Sequence, residues 1–229
     1  MSYKIVVMSC DKNKDLWKPF HICMEKYWKD HPEIIYSTET LTNPYYKTIR
    51  RKLPIEKWTK RVVETVNKVD TTHILLMVDD IFIRDYVDNE LIDGLTKYLV
   101  HNIASINFEF GFDKCDRPFW LYQHQKKIMV RNPFGKYKLS CMCQLWQKSA
   151  ILDLFNVEKD CWTFEKDNKS KNYFFLISKN GDFINWGKRH DTWKWGIVKG
   201  KWTKECKEFF TKEGIGMNYE ERGFIDDGN

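Results

Sequence analysis

No apolar run in these 229 residues comes near the ~18 residues that a membrane-spanning helix requires, so any membrane contact is expected to be peripheral. Glycine is sparse, with 11 in the whole chain, and none follows the first strand-like run in a Gly-x-Gly-x-x-Gly pattern. That excludes the usual dinucleotide cradle. The chain also has no Cys-x-x-Cys pair. Cys141-Met142-Cys143 has the wrong spacing for a zinc site and no second pair answers it. If these residues form a strand, both sulfurs face one side and serve as small buried hydrophobes. Met1 to Cys10 reads as a strand rather than a signal peptide, and the seven cysteines are an odd number. Reduced thiols in a cytoplasmic protein are therefore expected. There is no internal repeat and no low-complexity linker.

Aromatics are abundant at 16% of residues, including ten Trp, and some are expected on a binding surface, where rings stack on bases and sugars. The net charge of +6 suits an anionic partner such as a nucleotide or a phosphorylated lipid. The sequence pI near 8.8 and the scattered basic residues fall short of a dedicated nucleic-acid binder, for which a pI above about 9 and clustered charge are expected. No nucleic-acid partner is expected.

The pattern of elements is α/β. Lys4 to Ser9 is a β-branched first strand, Leu16 to Trp28 carries apolar residues at helical spacing, and Ile34 to Thr38 forms a second strand. This is the opening βαβ unit of a nucleotide-binding domain. Glu39 to Pro54 reads as a loop, and Ile55 to Val69 as a helix with Trp58, Val62, Val66 and Val69 on its buried stripe. Helices are expected over Asp88 to Leu99, Ser149 to Phe155 and Thr203 to Lys212, and short strands around 119–122, 127–130 and 138–145. Tyr173 to Ile177 is a helix or a strand, followed by a loop holding Trp186, Trp193 and Trp195. One domain over 1–229 is expected, with a nucleotide-binding half (1–112) and a mixed β half (113–229).

The most informative stretch is Ile74-Leu75-Leu76-Met77-Val78-Asp79-Asp80. Five apolar residues form a strand buried on both faces, and two adjacent carboxylates follow where it leaves the core. Like charges there demand a cation or full solvation. Ligands of open α/β sheets bind outside the carboxyl ends of the strands, and hard oxygen ligands suit Mg²⁺ or Mn²⁺.

Four segments in order resemble the small GT-A-fold glycosyltransferases of the family 2-like group found in bacterial surface-polysaccharide synthesis. They are Val6-Val7-Met8-Ser9-Cys10-Asp11, then Trp58-Thr59-Lys60-Arg61 leading to Leu75–Phe82, then Gln144-Leu145-Trp146 with Trp162-Thr163-Phe164-Glu165, and finally Gly200-Lys201-Trp202. The resemblance implies a GT-A-like single domain that transfers a sugar from a nucleotide-diphosphate donor, most often a UDP-sugar, to a glycan or lipid-linked acceptor. It implies a divalent metal, Mn²⁺ or Mg²⁺, at the diphosphate. Asp80 would touch that metal and Asp79 would orient the ribose or a metal-bound water. The adjacent Asp-Asp departs from the spaced Asp-x-Asp of many relatives. Ser9, Cys10 and Asp11 would hold base and ribose, Trp58 and Arg61 would lie against uracil or phosphate, and Lys201 would contact phosphate. Glu165, with Asp167 second, is the candidate base if transfer inverts the sugar; an apolar flank is expected to raise the pKa of Glu165. The enzyme would work in the cytoplasm, at the inner face of the membrane where acceptors are lipid-linked.

Two other classes fit parts of the chain. A nucleotidyltransferase shares the α/β domain and the metal, but needs a Gly-rich basic loop after the first strand, and Cys10-Asp11-Lys12-Asn13 has no Gly. A nucleic-acid- or anion-binding module would use the basic and aromatic surface, yet Asp79-Asp80 would repel phosphate.

Overall fold

The computed structural model describes residues 1–108, 117–123, 126–130, 139–166, 172–178, 183–185 and 196–225. Asp167 and the tryptophans at 186, 193 and 195 lie outside these residues. The first strand, β1 (Tyr3–Met8), pairs in parallel with β2 (Ile34–Thr38) on one side and with β4 (His73–Val78) on the other. A further strand, β3 (Lys47–Arg50), adds in parallel to β2 as the sheet edge, inside the stretch that polarity alone marks as a loop. Its residues are exposed or half-buried, so no apolar pattern announces it; β2 supplies its partner.

The sheet continues through β5 (Ile103–Asn107), β6 (Arg117–Gln123), β7 (Lys126–Val130), β8 (Gln144–Gln147) and β9 (Phe174–Ser178). Among the described residues it has nine strands in the order β3-β2-β1-β4-β8-β5-β9-β7-β6. The halves 1–112 and 113–229 share this one sheet, because β8 stands antiparallel between β4 and β5. Of the expected strand over 138–145, the described residues 139–143 are irregular and β8 begins at Gln144. Cys141 and Cys143 precede it in irregular chain, and although both are buried they belong to cores on opposite faces rather than to one.

Alternation along the strands builds both cores. Ile5 and Val7 of β1 and Leu75 and Met77 of β4 face one layer, with α1 (Trp17–Tyr27), α3 (Asn89–Asp93) and α6 (Lys204–Lys212) over it. Val6, Met8, Ile74 and Leu76 face the other, under α2 (Trp58–Asn67), α4 (Lys148–Leu154) and α5 (Cys161–Lys166). A strand apolar at every position is what two covered faces require. The helix expected over Asp88 to Leu99 is shorter, ending at Gly94 and giving way to a 3-10 turn, Thr96–Tyr98. Glycine is a poor helix former.

Beyond β9, β10 (Ile197–Val198) and β11 (Lys201–Trp202) form a small hairpin. Its turn residues Lys199 and Gly200 have φ of 51° and 81°, the left-handed pair that matches strand twist in a two-residue hairpin. Among the described residues no helix is long and apolar enough to cross a membrane.

Candidate functional site

After β1 the chain turns to β2 and β3 on one side, while β4 lies on the other. The carboxyl ends of β1 and β4 therefore flank the point where strand order reverses, the place where open α/β sheets bind ligands. The register pairs Met8 with Val78, so Ser9-Cys10 and Asp79-Asp80 leave the sheet side by side. A cleft of about 250 Å³ opens there, lined by Ser9, Cys10 and Asn13 from the first strand's exit and Asp79 and Asp80 from the fourth. Trp58 and Arg61 of α2 and Cys161, Trp162 and Glu165 of α5 line it as well. Pockets that enclose a drug-sized ligand run to about 300–1,000 Å³, so a whole nucleotide sugar would extend beyond this cleft.

Asp79 is fully buried at 1% exposure. One carboxylate oxygen accepts from the Ser9 hydroxyl and the other from the Asn13 amide at 3.0 Å. Trp17 Nε1 donates to the same Ser9 oxygen at 2.8 Å. Burial, then the neighbouring charge of Asp80, pushes the Asp79 pKa up to about 7 against the pull of those two hydrogen bonds. Asp80 is half-buried and lines the cleft; its carbonyl accepts from Gly196 N–H at 2.6 Å. Gly196 has no room for a side chain, since a Cβ would fall 2.3 Å from the Phe82 ring. The hairpin thus closes directly onto the backbone of the second aspartate.

Arg61 is buried, and its guanidinium meets the Glu39 carboxylate at 2.5 Å, while the other Glu39 oxygen accepts from Asp11 N–H at 2.5 Å. The Asp11 side chain points elsewhere: it accepts from Thr40 and from Leu41 N–H at 3.1 Å, tying down the segment after β2. Burial would raise its pKa, but the Thr40 and Leu41 hydrogen bonds outweigh that and lower it. The Cys10 thiol is pushed up to about 11 by burial and then by the charges of Asp79 and Glu39, so it stays neutral. Trp58 both lines the cleft and packs in the core beside Phe155. Glu165 sits in the last turn of α5, accepting from Cys141 N–H at 2.7 Å and the Ser140 hydroxyl at 3.4 Å. Trp162, one turn earlier, is 62% exposed.

Ser9, Cys10, Trp58, Arg61, Asp79, Asp80 and Glu165 thus converge on one cleft. Asp11 and Lys201 are not in its lining; Lys201 sits on the hairpin, paired with Val198. Asn13, in the cleft lining, and Glu39, which holds Arg61, had no role in the sequence reading. Glu39 directly follows β2, so the rule that singled out Asp79 after β4 also points to it. Asn13 lies in the polar turn after β1 and carries no signal of its own.

No family model matches the chain, and no curated protein sequence matches it. Solved structures do. Staphylococcus aureus TarS 1–349 in complex with UDP superposes with a TM-score of 0.50 and 12% identity over 81% of this chain and 60% of that one. The chain has a GT-A-like fold. The same TarS fragment with UDP-GlcNAc gives 0.48 and 14%, over 83% and 60% of the two chains. A cytidylyltransferase from Leptospira borgpetersenii gives 0.47 and 10%, over 81% and 79%. The chain spans about 60% of the TarS fragment and 36% of a longer TarS chain. In this GT-A-like frame the cleft occupies the carboxyl edge of the parallel strands, at the reversal of strand order.

Proposed function

We propose that the chain is a glycosyltransferase that takes a sugar from a nucleotide-diphosphate donor, a UDP-sugar foremost, and passes it to a glycan or lipid-linked acceptor. The observation that carries this reading is the convergence of Ser9, Asn13, Asp79, Asp80, Arg61 and Glu165 on one cleft at the carboxyl edge of β1 and β4. The basic net charge of +6 favours an anionic donor. The setting we infer is bacterial surface-polysaccharide synthesis in the cytoplasm, with peripheral contact at the inner face of the membrane.

The carboxylates fit a divalent metal of the Mg²⁺ or Mn²⁺ type in a specific way. Among the described residues no cluster of three His, Cys, Asp or Glu could cage an ion. Magnesium sites commonly use one or two carboxylates together with substrate phosphates and water, and Asp80, which lines the cleft, is the carboxylate assigned to that. Asp79 already accepts on both oxygens, which suits it to orienting its neighbour and a ribose or water. A metal held there would neutralise charge that develops on the departing diphosphate.

The protein's own groups do the rest. Trp58 offers an aromatic wall to the base, and Arg61, held by Glu39, presents a fixed guanidinium beside it. Lys201, on the hairpin that closes onto Asp80, is assigned to phosphate. Trp162 presents an aromatic face at the cleft to the acceptor, and Glu165, one turn on, takes the proton from the attacking hydroxyl if transfer inverts the sugar. Asp167 is the second candidate for that role. Against the nucleotidyltransferase alternative, the turn after β1, Asp11–Leu16, contains no glycine with which to cradle a triphosphate.

The deciding experiment is a thermal-shift series of nucleoside diphosphates with and without Mn²⁺, since a ligand stabilises the folded state by mass action. UDP is expected to raise the melting temperature only with metal, and Asp80→Ala is expected to abolish the shift. Absence of any shift, for every nucleoside diphosphate and divalent metal, rules the reading out.

A further inference from the structure

The C-terminal segment reaches both aspartates, by two routes. On the first, Gly196 N–H bonds the carbonyl of Asp80, and the hairpin that begins there carries Trp202. Trp202 in turn binds the last described residues: its N–H donates to the Gly223 carbonyl at 2.9 Å, and its carbonyl accepts from Ile225 N–H at 2.9 Å. On the second route, Arg222, its side chain only 7% exposed, turns its guanidinium into the turn after β1. Nε and Nη2 bond the two oxygens of Asp15 at 2.7 and 2.5 Å, and Nη2 also reaches the Lys12 carbonyl at 2.8 Å and Asn13 Oδ1 at 3.2 Å. The Asn13 amide nitrogen then donates to Asp79.

The chemistry of this relay is directional. Arginine carries donors only, so the Asn13 atom facing Arg222 must be its oxygen, which leaves the amide nitrogen to donate to Asp79 Oδ1. An amide placed between them has one stable orientation, with its oxygen toward Arg222 and its nitrogen toward Asp79. Without the guanidinium, the Asn13 oxygen loses the donor that holds it, and only the contact to Asp79 restrains an amide that can then swing away. The fork on Asp15 is bidentate, so the guanidinium is fixed as well as charged.

We propose that Arg222 is a positioning residue for Asp79: it locks the Asn13 amide in the orientation that donates to Asp79, and so holds that carboxylate in place beside Asp80 at the proposed donor site. The consequence for ligand binding rests on the glycosyltransferase reading above; the lock itself does not. The segment around Arg222 therefore belongs to the donor site although Arg222 and Asp79 are far apart in sequence and no guanidinium atom needs to touch the ligand.

The test has one arm for each statement. Arg222→Met keeps the aliphatic stem and removes every donor, and its ligand-free melting temperature, read first, shows whether it folds. In nitrogen–proton spectra of the ligand-free protein, the side-chain amide signals of Asn13, identified by their absence in Asn13→Ala, are expected to be sharp and protected from exchange in the wild type. In Arg222→Met they are expected to shift and exchange rapidly. Unchanged signals in a folded Arg222→Met overturn the lock, whatever the protein binds. Should that variant not fold, Asp15→Asn, which keeps Arg222 but weakens its anchor, is read the same way.

The second arm is UDP binding with Mn²⁺, measured calorimetrically around a double-mutant cycle. Arg222→Met and Asn13→Ala are each expected to weaken binding about tenfold, and the double variant no more than either alone. Losses that multiply, or wild-type affinity in Arg222→Met, remove the positioning role. Failure of the wild type itself to bind UDP with metal, while the amide signals still respond to Arg222→Met, overturns the donor reading and leaves the lock standing.

Discussion

Beyond Met8 and Val78, the last paired residues of β1 and β4, the Ser9 hydroxyl donates to the buried Asp79 carboxylate and accepts from the Trp17 indole. Ser9 is therefore committed to its neighbours. Its hydroxyl fixes the carboxylate that shapes the site.

Ser9→Ala leaves two buried polar groups, the Trp17 N–H and one Asp79 oxygen, short of a partner. An unsatisfied buried group costs about 1–3 kcal/mol, so a loss of about 2–6 kcal/mol is expected in urea unfolding. A loss below about 0.5 kcal/mol would mean that water or a rearranged side chain replaces the hydroxyl, and the rigid Ser9–Asp79 contact would have to be abandoned.

Glu165→Gln separates structure from chemistry, because the amide oxygen can still accept from Cys141 N–H, now at 2.7 Å. Donor binding and melting temperature are expected to stay near wild type while sugar transfer falls by a factor of 10² or more, the usual scale of general-base contributions. Transfer at the wild-type rate takes Glu165 out of the base role.

Gly196→Ala drives a methyl group to 2.3 Å from the ring of Phe82, a fully buried side chain packed edge-on against Phe210. Overpacking of this kind costs about 1–3 kcal/mol. Because Gly196 N–H holds the Asp80 carbonyl, metal-dependent nucleotide binding is expected to weaken as well. Gly214→Ala is the control. Its φ of 69° strains any side chain by about 1–2 kcal/mol, but it lies at the end of α6, and nucleotide affinity should not change. Equal effects on affinity from both variants would show a general loss of stability rather than a displaced aspartate.

Acid sensitivity is expected from Glu213, which caps α6 and binds Lys26 Nζ and the Tyr27 hydroxyl of α1, the latter at 2.6 Å. Burial alone would raise its pKa; the Lys26 and Tyr27 contacts outweigh burial and leave it lowered. A lowered carboxylate binds fewer protons in the folded state than in the unfolded state, so its contribution is present above the unfolded pKa of about 4.3. That contribution disappears as pH falls through the folded value. Glu213→Gln should therefore be less stable than wild type at pH 7, by about 1 kcal/mol, and the gap should close on acidification. A gap independent of pH from 7 to 3 counts against the ionised Glu213 contact.

Local pattern carried much of the fold. Ile74–Val78 announced a strand buried on both faces because every position is apolar, and Trp58, Val62 and Val66 marked α2 because helical spacing aligns them on one stripe. β3 escaped because an edge strand buries little and needs no apolar alternation. β9 was ambiguous between helix and strand because Phe174–Ser178 is short; pairing with β5 decides it. At the site, Asp79-Asp80 was visible as a physical anomaly. Glu39, Asn13 and Arg222 were not, because each takes its role from a partner distant in sequence: Arg61, Asp79 and Asp15 respectively.

The sequence by itself determined an α/β chain whose fourth strand ends in two adjacent carboxylates, since composition, apolar periodicity and like-charge repulsion are local properties. Only the tertiary structure decided how the two carboxylates differ. Strand register sets Asp79 against Ser9 and Asn13 in a buried, hydrogen-bonded niche, and leaves Asp80 lining the cleft with its backbone held by Gly196. Desolvation and hydrogen bonding depend on what surrounds a side chain, and for these neighbours the surroundings come from opposite ends of the chain.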